Sequence, residues 1–144
     1  MKAEKNHEML CFSDEERMYG VNLSCVKEIC YDKSITKVPR LPDYFCGVYN
    51  YRGTVIPVAI PDGFEKPGPG GERKVLLVLR SGFGMLGVQI YGNPSFHLIP
   101  ESEHIQSRNV ENGIWSFGAV YSHGGELIYE LDLEKTVRNF MEFQ

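Results

Sequence analysis

The stretch from Cys46 to Val58, Cys-Gly-Val-Tyr-Asn-Tyr-Arg-Gly-Thr-Val-Ile-Pro-Val, constrains the fold more than any other part of the chain. Its two glycines can adopt positive φ angles, and the apolar runs around them are rich in β-branched residues that suit a pleated sheet. The pattern predicts a strand, a tight turn and a second strand. Because Asn50 and Gly53 bracket the turn, we expect Arg52 near its tip, with the guanidinium free to reach a carboxylate.

The composition predicts one domain and argues against a nucleic-acid partner. The chain has 144 residues, of which 42% are hydrophobic and 12% aromatic, and a domain of that length buries about 70% of the surface that its unfolded chain exposes. The formal net charge is −4, whereas nucleic-acid binders gain most of their affinity from clustered Lys and Arg. We therefore expect residues 1–144 to form a single domain without a nucleic-acid partner.

The N-terminal segment is polar, and no long apolar run follows it. Residues 1–10 are charged and polar, so they lack the apolar core of a signal peptide, and residues 1–8 are expected to be flexible. A membrane span needs about 18 consecutive apolar residues, far more than Val75–Leu79 provides. These features predict a cytoplasmic protein without direct membrane insertion.

Neither the cysteines nor the histidines show the spacing of a metal site. All four cysteines lie in the first third of the chain without a C-x-x-C pair, which favours buried thiols in a reducing compartment. The four histidines have no paired ligand spacing, so each is expected to be a surface or hydrogen-bonded residue. These residues are Cys11, Cys25, Cys30, Cys46, His7, His97, His104 and His123. We predict no metal and no cofactor.

No pattern typical of catalysis stands out. There is no nucleophile beside a base, and the carboxylates of Glu101–Glu103 and Glu130–Glu134 are typical of solvated turns and helix starts. Gly82–Gly87 matches G-x-G-x-x-G after a strand, but that fingerprint requires a helix that begins at the glycines. Because Val88–Tyr91 continues in strand style, we predict a hairpin turn and a protein that is not an enzyme. A nucleotide-binding enzyme would need a helix after Gly87.

Other segments alternate short strands with turns. Met9–Ser13 and Arg17–Leu23 are predicted to form a hairpin. Ser24–Tyr31 has apolar residues at helical spacing, which favours a short helix or turn. Prolines and glycines exclude regular structure from most of residues 61–73, which are predicted to be an exposed loop.

The last third of the chain predicts a hairpin and a helix. Ile114–Tyr121 and Glu126–Leu131 flank a glycine turn, and Trp115 is expected to be a core residue. Asp132 is a suitable N-cap for a final amphipathic helix. About nine or ten short strands with few helices are typical of small all-β barrels or of a sandwich.

The order of these motifs resembles the CheW-like domain, which is the adaptor of bacterial chemotaxis arrays and also the regulatory domain of CheA kinases. The most specific part is residues 47–58, which are similar to the family's G-V-x-N-x-R-G-x-x-x-P-V. Residues 19–29 resemble its opening strand and V-x-E-I segment, and residues 118–134 resemble its closing hairpin and helix. The resemblance covers nearly the whole chain from about Met9.

The resemblance implies a mainly β fold of two adjacent small five-stranded β-barrels of the SH3 or OB type, with short helices and a C-terminal helix. It implies a non-enzymatic signalling adaptor, monomeric when isolated. Its expected partners are the regulatory domain of a CheA-type histidine kinase and the cytoplasmic tip of chemoreceptors. It also implies an ion pair between Glu28 and Arg52, which would be either a structural brace or part of an interface.

The resemblance places the partner-binding surface around that pair. The family's receptor-facing groove is lined by apolar residues, which points to Val26, Ile29 and Val55, with core packing as the alternative for each. With the turn residues included, the expected binding residues are Val26, Glu28, Ile29, Asn50, Arg52, Gly53 and Val55.

Two segments depart from the family pattern. Ala59–Gly63 stands where a helix usually starts, so that helix is expected to be shortened or lost. Tyr91 stands where an Asp is expected. The alternative function is therefore a divergent stand-alone regulatory or ligand-sensing module that does not bind the kinase, with the Tyr91 region lining a pocket.

Overall fold

The computed structural model describes residues 4–14, 16–42, 44–68 and 72–142, which form two compact units. Unit 1 combines Met1–Cys25 with Pro94–Gln144, and unit 2 is Val26–Asn93. Unit 1 contains a six-stranded sheet and unit 2 a five-stranded sheet. The mainly β class, with two barrel-like units and a C-terminal helix, is confirmed.

The strands and the helix have the following bounds. They are β1 (Asn6–Ser13), β2 (Met18–Asn22), β3 (Val26–Tyr31), β4 (Phe45–Tyr51), β5 (Thr54–Ala59), β6 (Lys74–Ser81), β7 (Gly84–Tyr91), β8 (Ser95–Pro100), β9 (His104–Asn112), β10 (Trp115–His123), β11 (Glu126–Leu131) and α1 (Leu133–Glu142). Two single 3₁₀ turns, Leu23–Cys25 and Glu101–Glu103, lie between strands. No helix of the described residues is long and apolar enough to cross a membrane.

Unit 2 is built on the hairpin of β6 and β7. These strands pair in a continuous antiparallel register that ends at Ser81 opposite Gly84, and the Ser81 hydroxyl donates to the Gly84 carbonyl at 2.9 Å. The predicted hairpin turn is confirmed. Because residues 84–91 form a strand and not a helix, the phosphate-binding geometry of a dinucleotide fingerprint is excluded here.

The segment between β3 and β4 returns alongside β4 in unit 2. The Thr36 amide donates to the Val48 carbonyl and the Val48 amide donates to the Thr36 carbonyl, both at 2.9 Å. This close approach requires a glycine beside it, since a Cβ on Gly47 would lie 2.1 Å from the Thr36 oxygen. Gly47 also has a φ of 143°, a conformation that is essentially confined to glycine.

Unit 1 has the strand order β8-β1-β2-β11-β10-β9. The predicted hairpins β1–β2 and β10–β11 are confirmed as antiparallel pairs. The interior contains a cluster of buried side chains against which Met18 and Ala119 pack. That cluster is Met9, Cys11, Ile99, Tyr121 and Ile128.

Helix α1 is held on β10 by buried polar contacts. Its predicted N-cap is confirmed, because the Lys135 amide donates to the Asp132 side chain at 3.1 Å. The Ser116 amide donates to the Thr136 hydroxyl at 3.0 Å, with both side chains fully buried. Trp115 is only 4% exposed, so its predicted place in the core is confirmed.

Several local predictions are wrong. Val26–Tyr31 is strand β3 and not a helix, and helical geometry near it is limited to the turn Leu23–Cys25. Strand β1 begins at Asn6, so residues 6–8 are not a flexible terminus; residues 1–3 lie outside the described part. The described residues form eleven strands rather than nine or ten, and unit 1 pairs six of them where five were expected.

The predicted loop at 61–73 is only partly exposed. Residues 61–68, 72 and 73 contain neither helix nor strand, whereas residues 69–71 lie outside the described part. Phe64 within the loop is only 2% exposed, so the loop contributes an anchor to the core. The helix that the family pattern would start after Val58 does not occur among residues 59–68.

Candidate functional site

The turn between β4 and β5 presents the candidate site. Tyr51 pairs with Thr54, so the loop consists of two residues, Arg52 with φ 49° and Gly53 with φ 87°. Two successive positive φ angles are the mark of a type I′ turn, whose twist matches that of the strands it joins. The Gly53 amide donates to the Asn50 side chain at 2.8 Å, which holds the turn closed. The motif thus places Arg52 at the tip.

Arg52 reaches the Glu28 carboxylate on β3. Its Nη2 atom lies 3.6 Å from Glu28 Oε1, and the two side chains are 75% and 38% exposed. The guanidinium carbon also lies 5.3 Å from the centre of the Tyr51 ring. An exposed ion pair at this distance contributes about 0–1 kcal/mol to stability. Most of the guanidinium therefore remains accessible to another molecule.

Glu28 has a second contact toward the interior of unit 2. The Cys30 thiol donates to Glu28 Oε2 at 3.5 Å. Burial raises the pKa of the Cys30 thiol, and the Glu28 carboxylate raises it further, while a hydrogen bond with Tyr49 acts in the opposite direction. Cys30 therefore stays a neutral thiol rather than a reactive thiolate.

These contacts join the two ends of the five-stranded sheet. Its strand order is β3-β6-β7-β5-β4, so β3 and the hairpin of β4 and β5 lie at or near opposite ends. Glu28 and Cys30 on β3 meet Arg52 and Tyr49 across that gap. The side chains thus close the barrel where strand pairing stops.

The remaining predicted binding residues differ in how much surface they offer. Val55 is 63% exposed and lies opposite the exposed Asn50 in the register of β4 and β5. Val26 and Ile29 lie on β3 and are half-buried. The structure therefore brings Asn50, Arg52, Gly53 and Val55 together on one hairpin, next to Glu28 on β3.

Comparison with known proteins identifies the family. The model of the CheW-like domain matches residues 8–140. The chain belongs to the CheW-like domain family. It is 30% identical over 87 residues to the chemotaxis protein CheW of Klebsiella aerogenes, a match that covers 59% of this chain and 52% of that protein. The alignment thus spans about half the length of this curated relative.

A solved structure is similar over nearly the whole chain. The crystal structure of the scaffolding protein TtCheW from Thermoanaerobacter tengcongensis aligns with a TM-score of 0.73 and 23% identity, covering 92% of each chain. At that identity the likeness concerns the fold alone. The resemblance to CheW-like domains that the motif at 47–58 suggested is confirmed.

Sequence reasoning missed a cluster of side chains in unit 1. All four histidines, which show no paired spacing in the sequence, lie around the 3₁₀ turn Glu101–Glu103. The rings of His7 and His104 lie 5.2 and 5.3 Å from that of Tyr121, and the rings of His97 and His123 are 5.3 Å apart. The extremes of the cluster, His7 and His123, are 116 positions apart in the sequence, so no local motif could have found it.

Two carboxylates of the 3₁₀ turn Glu101–Glu103 pair with histidines on strands β1 and β10. Glu101 pairs with His7 on β1, and Glu103 Oε2 lies 2.8 Å from His123 Nδ1 on β10. The hydrogen bond from His7 lowers the pKa of Glu101, whereas burial raises the pKa of Glu130 nearby. Among the described residues, no three His, Cys, Asp or Glu side chains are arranged to hold a metal ion.

Proposed function

We propose that this protein is a cytoplasmic, non-enzymatic adaptor that couples chemoreceptors to a CheA-type histidine kinase. The observation that carries the proposal is the family match over residues 8–140. The chemotaxis relative supports the same role, and the solved structure supports the fold on which that role depends. Coupling of this kind needs complementary surfaces rather than catalytic groups.

The hairpin tip is suited to recognise a carboxylate on a partner. Arg52 is 75% exposed, and its contact with Glu28, at 3.6 Å, is longer than a hydrogen bond. A partner carboxylate can therefore share the guanidinium, which binds such groups through paired N–H donors. Val55 adds an exposed apolar side chain on the same hairpin. We assign this surface to a partner that combines acidic and apolar side chains.

Binding measurements test the proposal directly. The full chain is titrated by calorimetry with the regulatory domain of a CheA-type kinase and, separately, with a cytoplasmic-tip fragment of a chemoreceptor. We expect binding to both. Absence of binding to both at protein concentrations of tens of micromolar would refute the coupling role. A small-molecule thermal-shift screen on the same sample would then test the ligand-sensing alternative.

A charge reversal at Arg52 tests whether the hairpin tip takes part in binding. Arg52→Glu is expected to weaken binding to at least one partner by about tenfold or more, equivalent to about 1.4 kcal/mol, while the free energy of unfolding changes by only about 0–1 kcal/mol. Arg73→Glu is the matched control, because Arg73 forms another exposed ion pair of unit 2, with Asp32 at 2.8 Å. Equal losses of binding for Arg52→Glu and Arg73→Glu would contradict a specific role of Arg52.

The reciprocal variant separates a brace from an interface. In the double variant Glu28→Arg and Arg52→Glu the internal ion pair is restored with its charges exchanged. If the pair only braces the barrel, the double variant regains binding. If Arg52 instead contacts the partner, the double variant binds as weakly as the single variant Arg52→Glu. We expect the second result, because the pair is too exposed to contribute much to stability.

A further inference from the structure

The hairpin of β6 and β7 has an aromatic residue at its tip. Ser81 pairs with Gly84, so the loop between the strands consists of two residues, Gly82 and Phe83. Phe83 is 51% exposed. A single exposed apolar residue is common on protein surfaces and needs no explanation. The surroundings of Phe83 therefore decide whether it belongs to a binding surface.

A buried hydroxyl fixes the backbone of this tip. The Ser81 hydroxyl accepts a hydrogen bond from the Phe83 amide at 3.0 Å and donates one to the Gly84 carbonyl at 2.9 Å, and Ser81 is only 8% exposed. The backbone that carries the aromatic ring is therefore ordered before any partner binds. Binding to such a preorganised residue costs less conformational entropy than binding to a flexible loop.

The register of the sheet places this tip beside the tip that carries Arg52. Strands β5 and β7 are parallel neighbours, with Val58 opposite Gly87. Thr54 and Phe83 each lie four residues before these partners. Because both strands begin at their hairpin turns, the two turns lie side by side at the same end of the five-stranded sheet.

This end of the sheet carries mainly positive charge. Lys27 and Arg80 are exposed and lie next to the paired residues Val26 and Leu79 of β3 and β6, so both join Arg52 at this end. Among the described residues of unit 2, the acidic residues other than Glu28 lie in the segments that join the opposite ends of the strands. Those residues are Asp32, Asp62, Glu65 and Glu72. A surface with this charge is complementary to a partner that carries carboxylates.

We propose that Phe83 is a second anchor of the surface that carries Arg52, and that it binds an apolar pocket rimmed by carboxylates on the same partner protein. Val55, which is 63% exposed at the start of β5, extends the apolar part of this surface. Aromatic and arginine side chains commonly contribute most of the affinity of a protein interface. The inference rests on the proposed coupling function, because it adds a residue to the surface assigned there.

Truncation of the aromatic ring tests the proposal. The full chain with Phe83→Ala is titrated against the kinase regulatory domain and the receptor-tip fragment. The dissociation constant should rise by about tenfold or more for the partner whose binding Arg52→Glu weakens. Because Phe83 is half-exposed, the urea midpoint should not change. Phe83→Leu keeps a large apolar side chain and should retain much of the affinity.

A second exposed phenylalanine provides the matched control. Phe96 lies on β8 of unit 1 and is 52% exposed, nearly the same fraction as for Phe83. Phe96→Ala should therefore remove a similar exposed apolar area without changing the dissociation constant for either fragment. Equal losses of affinity for Phe83→Ala and Phe96→Ala would overturn the proposal.

The dependence of binding on salt separates an apolar anchor from an indirect effect on Arg52. Salt screens the attraction between Arg52 and a partner carboxylate, so the affinity of the unchanged protein should fall between about 50 and about 500 mM NaCl. Phe83→Ala should show the same fall, whereas Arg52→Gln should show a smaller one. If Phe83→Ala also reduces the salt dependence, Phe83 acts only through Arg52 and the proposed anchor is refuted.

The failure of this inference can be distinguished from the failure of the coupling function. If the unchanged protein binds neither fragment, the coupling function fails, and the role of Phe83 fails with it. If Arg52→Glu weakens binding and Phe83→Ala does not, only the role of Phe83 fails. If the two substitutions do not weaken binding to the same partner, the two tips do not form one surface and the proposal is overturned.

Discussion

Replacing Gly47 by alanine tests whether the first glycine of the motif is required by packing. A Cβ at this position would lie 2.1 Å from the Thr36 oxygen and 2.8 Å from its carbonyl carbon. These are backbone atoms, which cannot rotate away as a side chain can. Gly47→Ala is therefore expected to separate the segment around Thr36 from β4.

The structure sets the size of this effect. Alanine would have to hold a φ of 143°, which costs about 1–3 kcal/mol for a residue other than glycine. The bridge to Thr36 contains two hydrogen bonds of 2.9 Å, each with a net contribution of about 0.5–1.5 kcal/mol. Strain and the loss of both bonds together lower the free energy of unfolding by about 2–6 kcal/mol. That is a large share of the about 5–15 kcal/mol typical of a domain.

Urea unfolding followed by far-UV circular dichroism measures the loss, because that signal reports on the strands of both units. Gly53→Ala is the matched control in the same hairpin. Gly53 also has a positive φ, 87°, but a Cβ there would have nothing within 4 Å. It should cost only the backbone term, about 1–2 kcal/mol. The packing argument is refuted if Gly47→Ala is no more destabilising than Gly53→Ala.

Two further predictions concern polar groups of unit 1. Thr136→Val should lower the free energy of unfolding by about 1–3 kcal/mol, because the buried Ser116 amide loses its acceptor at 3.0 Å. Thr136→Ser keeps the hydroxyl and should retain most of the stability. Equal losses for Thr136→Val and Thr136→Ser in urea unfolding would contradict this reasoning. Burial raises the pKa of Glu130, so this residue stabilises the fold while protonated and loses that contribution as the pH rises through its pKa. Glu130→Gln should therefore raise the free energy of unfolding at about pH 7 and not at about pH 4. If the urea midpoints of Glu130→Gln and of the unchanged protein differ by the same amount at both pH values, the raised pKa of Glu130 is contradicted.

The elements predicted best from the sequence are those specified locally. The two-residue turn at Arg52 and Gly53 and the hairpin turn after Ser81 both follow from glycines set between alternating apolar runs. The N-cap at Asp132 is equally local, since its partner is the amide three residues later. In each case the residues that determine the structure are neighbours in the chain.

Strand β3 was mispredicted because a bulge imitates helical spacing. Val26 pairs with Leu79 and Glu28 pairs with Val78, so Lys27 is an extra residue on this strand. A bulge interrupts the two-residue alternation by which a strand is recognised. Apolar residues on either side of it then fall three positions apart, as they do on one face of a helix.

The spacing of residues in the sequence does not predict contacts between distant segments. His7 and Glu101 are 94 residues apart in sequence, and they meet only because β1 pairs with β8 immediately before the turn that carries Glu101. The pairing of Glu28 with Arg52 was likewise implied by the family resemblance and not by the residues themselves. Strand order, which determines such contacts, is a property of the whole fold.

The energetics of the hairpin tip favour a partner-facing role for Arg52. The first position of a type I′ turn favours Asn, Asp or Gly, and a residue with a Cβ pays about 1–2 kcal/mol for the left-handed conformation that Arg52 adopts with a φ of 49°. Its exposed ion pair with Glu28 contributes only about 0–1 kcal/mol, and its contact with the Tyr51 ring contributes about 0.5–1 kcal/mol. These contributions at most offset the backbone cost, so the arginine brings no net gain in stability. The recognition of a partner carboxylate proposed above would give this residue a role that stability alone does not.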